Sequence, residues 1–108
     1  MITIKVRSQL GGAVVSREHG ERMRHLLEKA ISQGSEPVVV DFSGMQITSV
    51  SFFDESFGVL ARQYGEDLLG AKVKLQEIDP FDLALVHDII ASRSREAKRK
   101  LSKSPARP

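Results

Sequence analysis

From Ile2 to Arg7 apolar and polar residues alternate, with Ile2, Ile4 and Val6 on one side, which predicts a half-buried strand. Gly11-Gly12 marks a turn, and Ala13-Val14-Val15 reads as a short second strand pairing with the first. The period then changes. Met23, Leu26, Leu27, Ala30 and Ile31 recur at helical spacing after Ser16, a helix-capping residue type, and Gly34 closes the run. Val38, Val39, Val40 and Phe42 form a compact strand that is apolar on both faces and therefore central in a sheet. Phe53, Phe57, Leu60, Ala61 and Tyr64 make the clearest helical stripe, with Ser51 and Asp54 resembling a capping box at its start and Gly65 at its end. Between 71 and 78, Val73 and Leu75 alternate with Lys72, Lys74 and Gln76, and Glu77 falls in step with the inward pair, which predicts another strand. Asp79-Pro80 opens a last helix that buries Phe81, Leu85, Val86, Ile89 and Ile90, and Ser94, Ala97 and Leu101 keep its spacing to about residue 101. The order ββαβαβα predicts an α/β fold in which a single-domain mixed β-sheet packs against helices.

Length and charge sharpen that picture. One hundred and eight residues suit one domain with one modest core. No cysteine is present, which excludes disulfides, thiolate chemistry and cysteine-ligated zinc. The net charge of +2 hides an asymmetry: residues 92–108 carry seven Lys/Arg against the single acid Glu96, leaving nine basic and thirteen acidic residues in 1–91. The chain thus divides into a mildly acidic body, 1–91, and a basic C-terminal extension, 92–108, helical to about 101 and flexible beyond. No apolar run approaches the ~20 residues of a membrane span, and the alternating N-terminus does not read as a signal peptide, so a cytoplasmic protein with no membrane partner is expected.

Chemistry concentrates around the helix that starts near Ser51. Thr48, Ser49 and Ser51 stand where a helix dipole is positive, as phosphoacceptors or partner contacts on one reading and as the helix cap on the other, with Ser51 the preferred cap. Asp54 and Glu55 read as ligand or partner contacts, as a general acid-base pair or as acids complementing the dipole; adjacent helical positions diverge by ~100°, which favours the dipole over the acid-base pair. Asp41, at a strand's C-terminal end, is placed either for a ligand or to bond the amides of the next turn. His19, His25 and His87 lack metal-ligand spacing, so no metal and no cofactor are expected. Arg93, Arg95, Lys98, Arg99, Lys100 and Lys103 could contact nucleic acid by charge alone, without aromatics for stacking.

The segment 38–65, VVVDFSGMQITSVSFFDESFGVLARQYG, followed by KVKLQEI, resembles the STAS-like domains, relatives of the sulfate-transporter and anti-sigma-factor-antagonist fold. The carriers of the likeness are Asp41-Phe42 at the strand end and Phe53-Asp54-Glu55 at the helix start, and Ser16-Arg17 suits it too. The resemblance implies a regulatory protein-protein interaction module, not an enzyme, docking to a histidine-kinase-like ATPase through the helix entrance. Antagonists of this fold are switched by phosphorylation in a D-S-S-G segment. The corresponding residues here are Ser49-Val50-Ser51-Phe52, with the Asp and Gly missing and Val50 at the acceptor position. Two other classes stay open: a nucleic-acid accessory protein working through the basic extension, and a small-ligand or nucleotide sensor near Asp41. An exposed edge strand also leaves room for a homodimer.

Overall fold

The computed structural model describes residues 2–11, 16–34 and 37–103, the last five by backbone alone. Three parallel strands, β1 (Ile2–Lys5), β2 (Val38–Asp41) and β3 (Val73–Gln76), lie in that order, with β2 central as its all-apolar run requires. The register pairs Ile4 with Val40 and Val40 with Leu75, so one face of the sheet gathers the apolar side chains. The other face carries Thr3, Lys5, Val39, Asp41, Lys74 and Gln76, and apart from the half-buried Val39 and Asp41 it is exposed. Helix α2 (Arg17–Gln33) starts as expected, with the Ser16 hydroxyl accepting the His19 amide at 3.2 Å. It buries Met23, Leu27 and Ala30.

The fifteen residues from Val50 to Tyr64 form one helical rod in three parts: α3 (Val50–Phe53), a π-helical segment (Asp54–Gly58) and α4 (Val59–Tyr64). Its predicted stripe is the centre of the core. Phe53, Phe57, Leu60 and Ala61 are buried, and Phe52, Phe53 and Phe57 meet edge-on or tilted at centroid distances of 5.3 to 6.3 Å. The π geometry falls where side chains serve two backbone carbonyls: Ser56 Oγ donates to Phe52 O at 2.8 Å, and Arg24 Nη1 to Glu55 O at 2.9 Å. Such outside donors loosen the regular ladder and let one turn widen.

The elements differ from expectation at four places, and one expected strand is not among the described residues. The first strand stops at Lys5, because its pairing ends at Lys5–Asp41, and the chain turns into a short helix, α1 (Val6–Leu10), that buries Val6 and Leu10. The proposed strand 13–15 lies outside the described residues, and the described sheet is wholly parallel. Helix α5 (Glu66–Lys72) occupies residues that carried no helical signal, being seven long with Gly70 inside it. Glu77 has left β3 for a left-handed conformation, φ 55°. Finally, Phe81 is not buried. In α6 (Pro80–Lys103), Asp82 takes the inward position with 1% exposure, and Phe81, ~100° away, turns outward with 60%.

Helix α6 packs on the rod and continues beyond residue 91 as one helix. Within it Ser94 is buried and its hydroxyl has no hydrogen-bond partner among the described residues. Desolvating an unpaired polar group costs ~1–3 kcal/mol. Ser94→Ala is therefore expected to raise stability by about 1 kcal/mol, read as a higher midpoint in scanning calorimetry.

Candidate functional site

Strand β2 runs into the loop 42–49, which delivers the chain to the entrance of α3. Three local devices shape that loop. The Asp41 carboxylate accepts from both the amide and the hydroxyl of Ser43, which holds its pKa below the usual carboxylate value. These are the bonds of the turn-forming reading of Asp41, the residue bonding the next turn's amide as a short acid does. Gly44 follows at φ 74°. The third device comes from far away in sequence. Asp82, in the first turn of α6, accepts Ile47 N at 2.6 Å through Oδ2 and Thr48 N at 2.8 Å through Oδ1. It pins two successive amides, and Thr48 sits there at φ 45°. That conformation is strained for a β-branched residue and persists only where its surroundings impose it.

Past this latch the hydroxyl cluster separates into distinct roles. The helix cap is Ser49, whose Oγ accepts Phe52 N at 3.2 Å; Ser51 lies one residue inside the helix, half-buried. Thr48 is exposed. Val50, at the first helical position, is 59% exposed, with Phe81 one of the two most exposed large apolar residues described.

Asp54 and Glu55 diverge as the helical period requires, and each reaches a different flanking helix. Asp54 receives Arg93 of α6 in a bidentate pair, Nε to Oδ1 and Nη2 to Oδ2, both at 2.7 Å. The guanidinium holds the Asp54 carboxyl below its ordinary value, and the arginine is raised in turn by Asp54 and then by Glu96. Glu55 receives Arg17 at 2.6 Å and Arg24 at 3.1 Å from α2. The close crossings that allow these ties use two glycines. A Cβ on Gly20 would lie 2.6 Å from Phe52 O, and one on Gly58 would lie 3.0 Å from Ile89 Cγ2 of α6. The acids at the helix start are thus structural ties between α2, the rod and α6.

Arg93 is committed to the fold by the same bond. Arg95 and Lys98 remain exposed along α6, and Arg99, Lys100 and Lys103 continue that helix with only their backbone described. A pH consequence follows from Asp54. A carboxyl whose native pKa is depressed adds stability that is complete above its unfolded value, 3.8, and is lost as pH falls through the lower native value. Asp54→Asn is therefore expected to lose less stability than the parent protein between pH 4 and 2, read from urea midpoints at each pH.

Depressions among the described residues lie on either side of α6. A shallow one of about 310 Å³ is lined by Val50, Asp54, Asp88, Ile89, Ser92, Arg93 and Glu96, beside the helix entrance. A larger groove of about 660 Å³ lies between α5, β3 and α6, its apolar wall including Leu69, Val73, Leu75 and Ile90. Asp41 lines neither. Among the described residues no helix is long and apolar enough to cross a membrane, and no three His, Cys, Asp or Glu gather as metal ligands would.

The family described as STAS-like domain of unknown function matches residues 19–82, from the first turn of α2 to Asp82. No curated protein and no solved structure matches the chain. The matched segment holds β2, the latched loop, the rod and β3, which is more than half of the chain. The protein belongs to the STAS-like domain family.

Proposed function

We propose that this chain is a regulatory docking module whose working surface is the loop 43–49 and the first turn of α3. The observation that carries this reading is the latch: a buried carboxylate holds the amides of Ile47 and Thr48, with Thr48 in a strained left-handed conformation, just ahead of the exposed Val50. Strain imposed from outside a loop is typical of recognition surfaces, and an exposed apolar residue on a rigid element loses little entropy on binding. The likeness to antagonists of anti-sigma factors adds the partner class, a histidine-kinase-like ATPase, and leaves the module itself without catalysis. Phosphorylation belongs to this proposal as an added layer. Thr48 is the exposed hydroxyl of the three, whereas Ser49 is engaged as the cap and Ser51 is half-buried.

The test is affinity capture from host lysate with Val50→Lys as the comparison, both arms run with and without nuclease. A protein retained by the parent chain and lost with Val50→Lys supports the surface. Partners that vanish with nuclease, and whose capture falls steeply with salt, would move the function to Arg95 and Lys98. Ligand-dependent stabilisation with nucleotides would instead direct attention to the 660 Å³ groove, which is within the range of ligand sites.

A further inference from the structure

The outward face of α6 carries two opposite charges with no use inside the fold. Asp88 and Arg95 are both exposed, and neither has an ion-pair partner among the described residues. They stand seven residues apart, two turns on, and so within ~20° of the same face. The stripe between and beyond them contains Ala84 and Ser92, both exposed and small enough to admit a second helix at close range. Phe81 begins the stripe with 60% exposure, and Val50 borders it where the shallow depression meets Asp88 and Ser92.

A charge pattern of this kind is self-complementary. If a second α6 lies antiparallel on the first, with a two-fold axis passing between residues 91 and 92, Asp88 of each copy faces Arg95 of the other. The pair forms twice across one isologous interface. The same arrangement places Phe81 opposite the last turns of the second helix. Four unpaired charges find partners in a single step.

We propose that the protein forms a two-fold homodimer through antiparallel contact of the α6 outward faces, centred between Ala91 and Ser92 and held by reciprocal Asp88–Arg95 pairs. The contact is of the modest, salt-sensitive kind, because its pairs are exposed and its apolar area is small. A consequence, which rests on the docking surface proposed above, is competition: the dimer covers the border of Val50, so self-association and partner docking exclude one another.

Sedimentation equilibrium of the purified full chain tests the dimer without any partner, at low ionic strength and over about 1 μM to about 1 mM, where contacts of this size dissociate. The monomer mass is 12.0 kDa, and the parent chain is expected to approach twice that. Asp88→Arg and Arg95→Asp each set like charges against each other twice and should weaken association at least about tenfold. The double variant, Asp88→Arg with Arg95→Asp, restores complementarity and should recover the parent constant, which also shows that the single variants failed through charge and not through unfolding. A parent chain that stays monomeric throughout overturns the proposal. So does a dimer unmoved by both single changes, or a double variant no better than the singles. Loss of the dimer leaves the docking surface standing, and loss of capture through Val50 leaves the dimer standing.

Discussion

Asp82→Ala should lower the thermal midpoint by roughly 15 °C, the largest effect expected of any single polar substitution in this chain. The carboxylate is 1% exposed and accepts two backbone amides, from Ile47 and Thr48, neither of which has another acceptor close by in a loop. Removing it orphans both donors, at ~1–3 kcal/mol each if they stay buried. The loop can recover part of that by opening to water, so a net loss of about 3 kcal/mol is expected, and each kcal/mol moves the midpoint of a domain this size by ~4–8 °C. The loss should be accompanied by local change: amides of the loop 43–49 should exchange with solvent faster than the sheet does. Asp82→Asn is the sharper comparison, since it keeps the volume and one carbonyl acceptor, and its cost should be about half that of alanine. Loop amides that exchange as in the parent chain would mean that Asp82 does not hold the loop.

Gly20→Val should cost about 3 kcal/mol, whereas Gly70→Ala, also a glycine replacement within a helix, should be neutral or stabilising by about 0.5–1 kcal/mol. The opposite signs come from surroundings. At Gly20 a first carbon would stand 2.6 Å from Phe52 O and 2.8 Å from Glu55 Cβ, and the nearer contact is backbone that cannot swing aside. Helix α2 must move off the rod, which also lengthens the ties from Arg17 and Arg24 to Glu55. At Gly70, in the exposed helix α5, nothing lies within 4 Å, so alanine only improves helix propensity and narrows the range of unfolded conformations. Urea unfolding of the two variants side by side checks both signs. Equal effects would mean that α2 and α3 do not cross as closely as described.

Much of this was legible in the residues, and the gaps have physical causes. The stripe Phe53–Phe57–Leu60–Ala61 needed only its own period, and the valine run of β2 correctly announced a central strand. The Ser16 and Asp79 caps are local signals and were found; Asp79 Oδ2 accepts Phe81 N at 2.9 Å. Ser49 was displaced by Ser51 as the helix cap because Asp54 follows Ser51 at capping-box distance, whereas Asp54 is drawn away by Arg93, 39 residues on. The same distance in sequence hid Asp82, which reads locally as one more acid in a helix's first turn. One hint existed: an acid beside Phe81 at the start of an apolar stripe implies that one of the two must turn inward, and loop amides are the natural reason for the acid to do so. The helical period alone sets the adjacent acids 54 and 55 diverging, but nothing in a single sequence says that arginines from two different helices wait on either side. Helix α5 and helix α1 are too short to show a period at all.

Docking through the latched loop and Val50 is the central claim, and a photocrosslinker in place of Val50 interrogates it most directly. A benzophenone side chain at position 50, with the same side chain at position 98 as the control, would be illuminated in host lysate with and without nuclease, at low protein concentration. The predicted result is a discrete covalent adduct from position 50 to another protein, weakened when Asp82→Ala frees the loop. Adducts to nucleic acid from position 98 alone, or from position 50 to a second copy of this chain only, would contradict it.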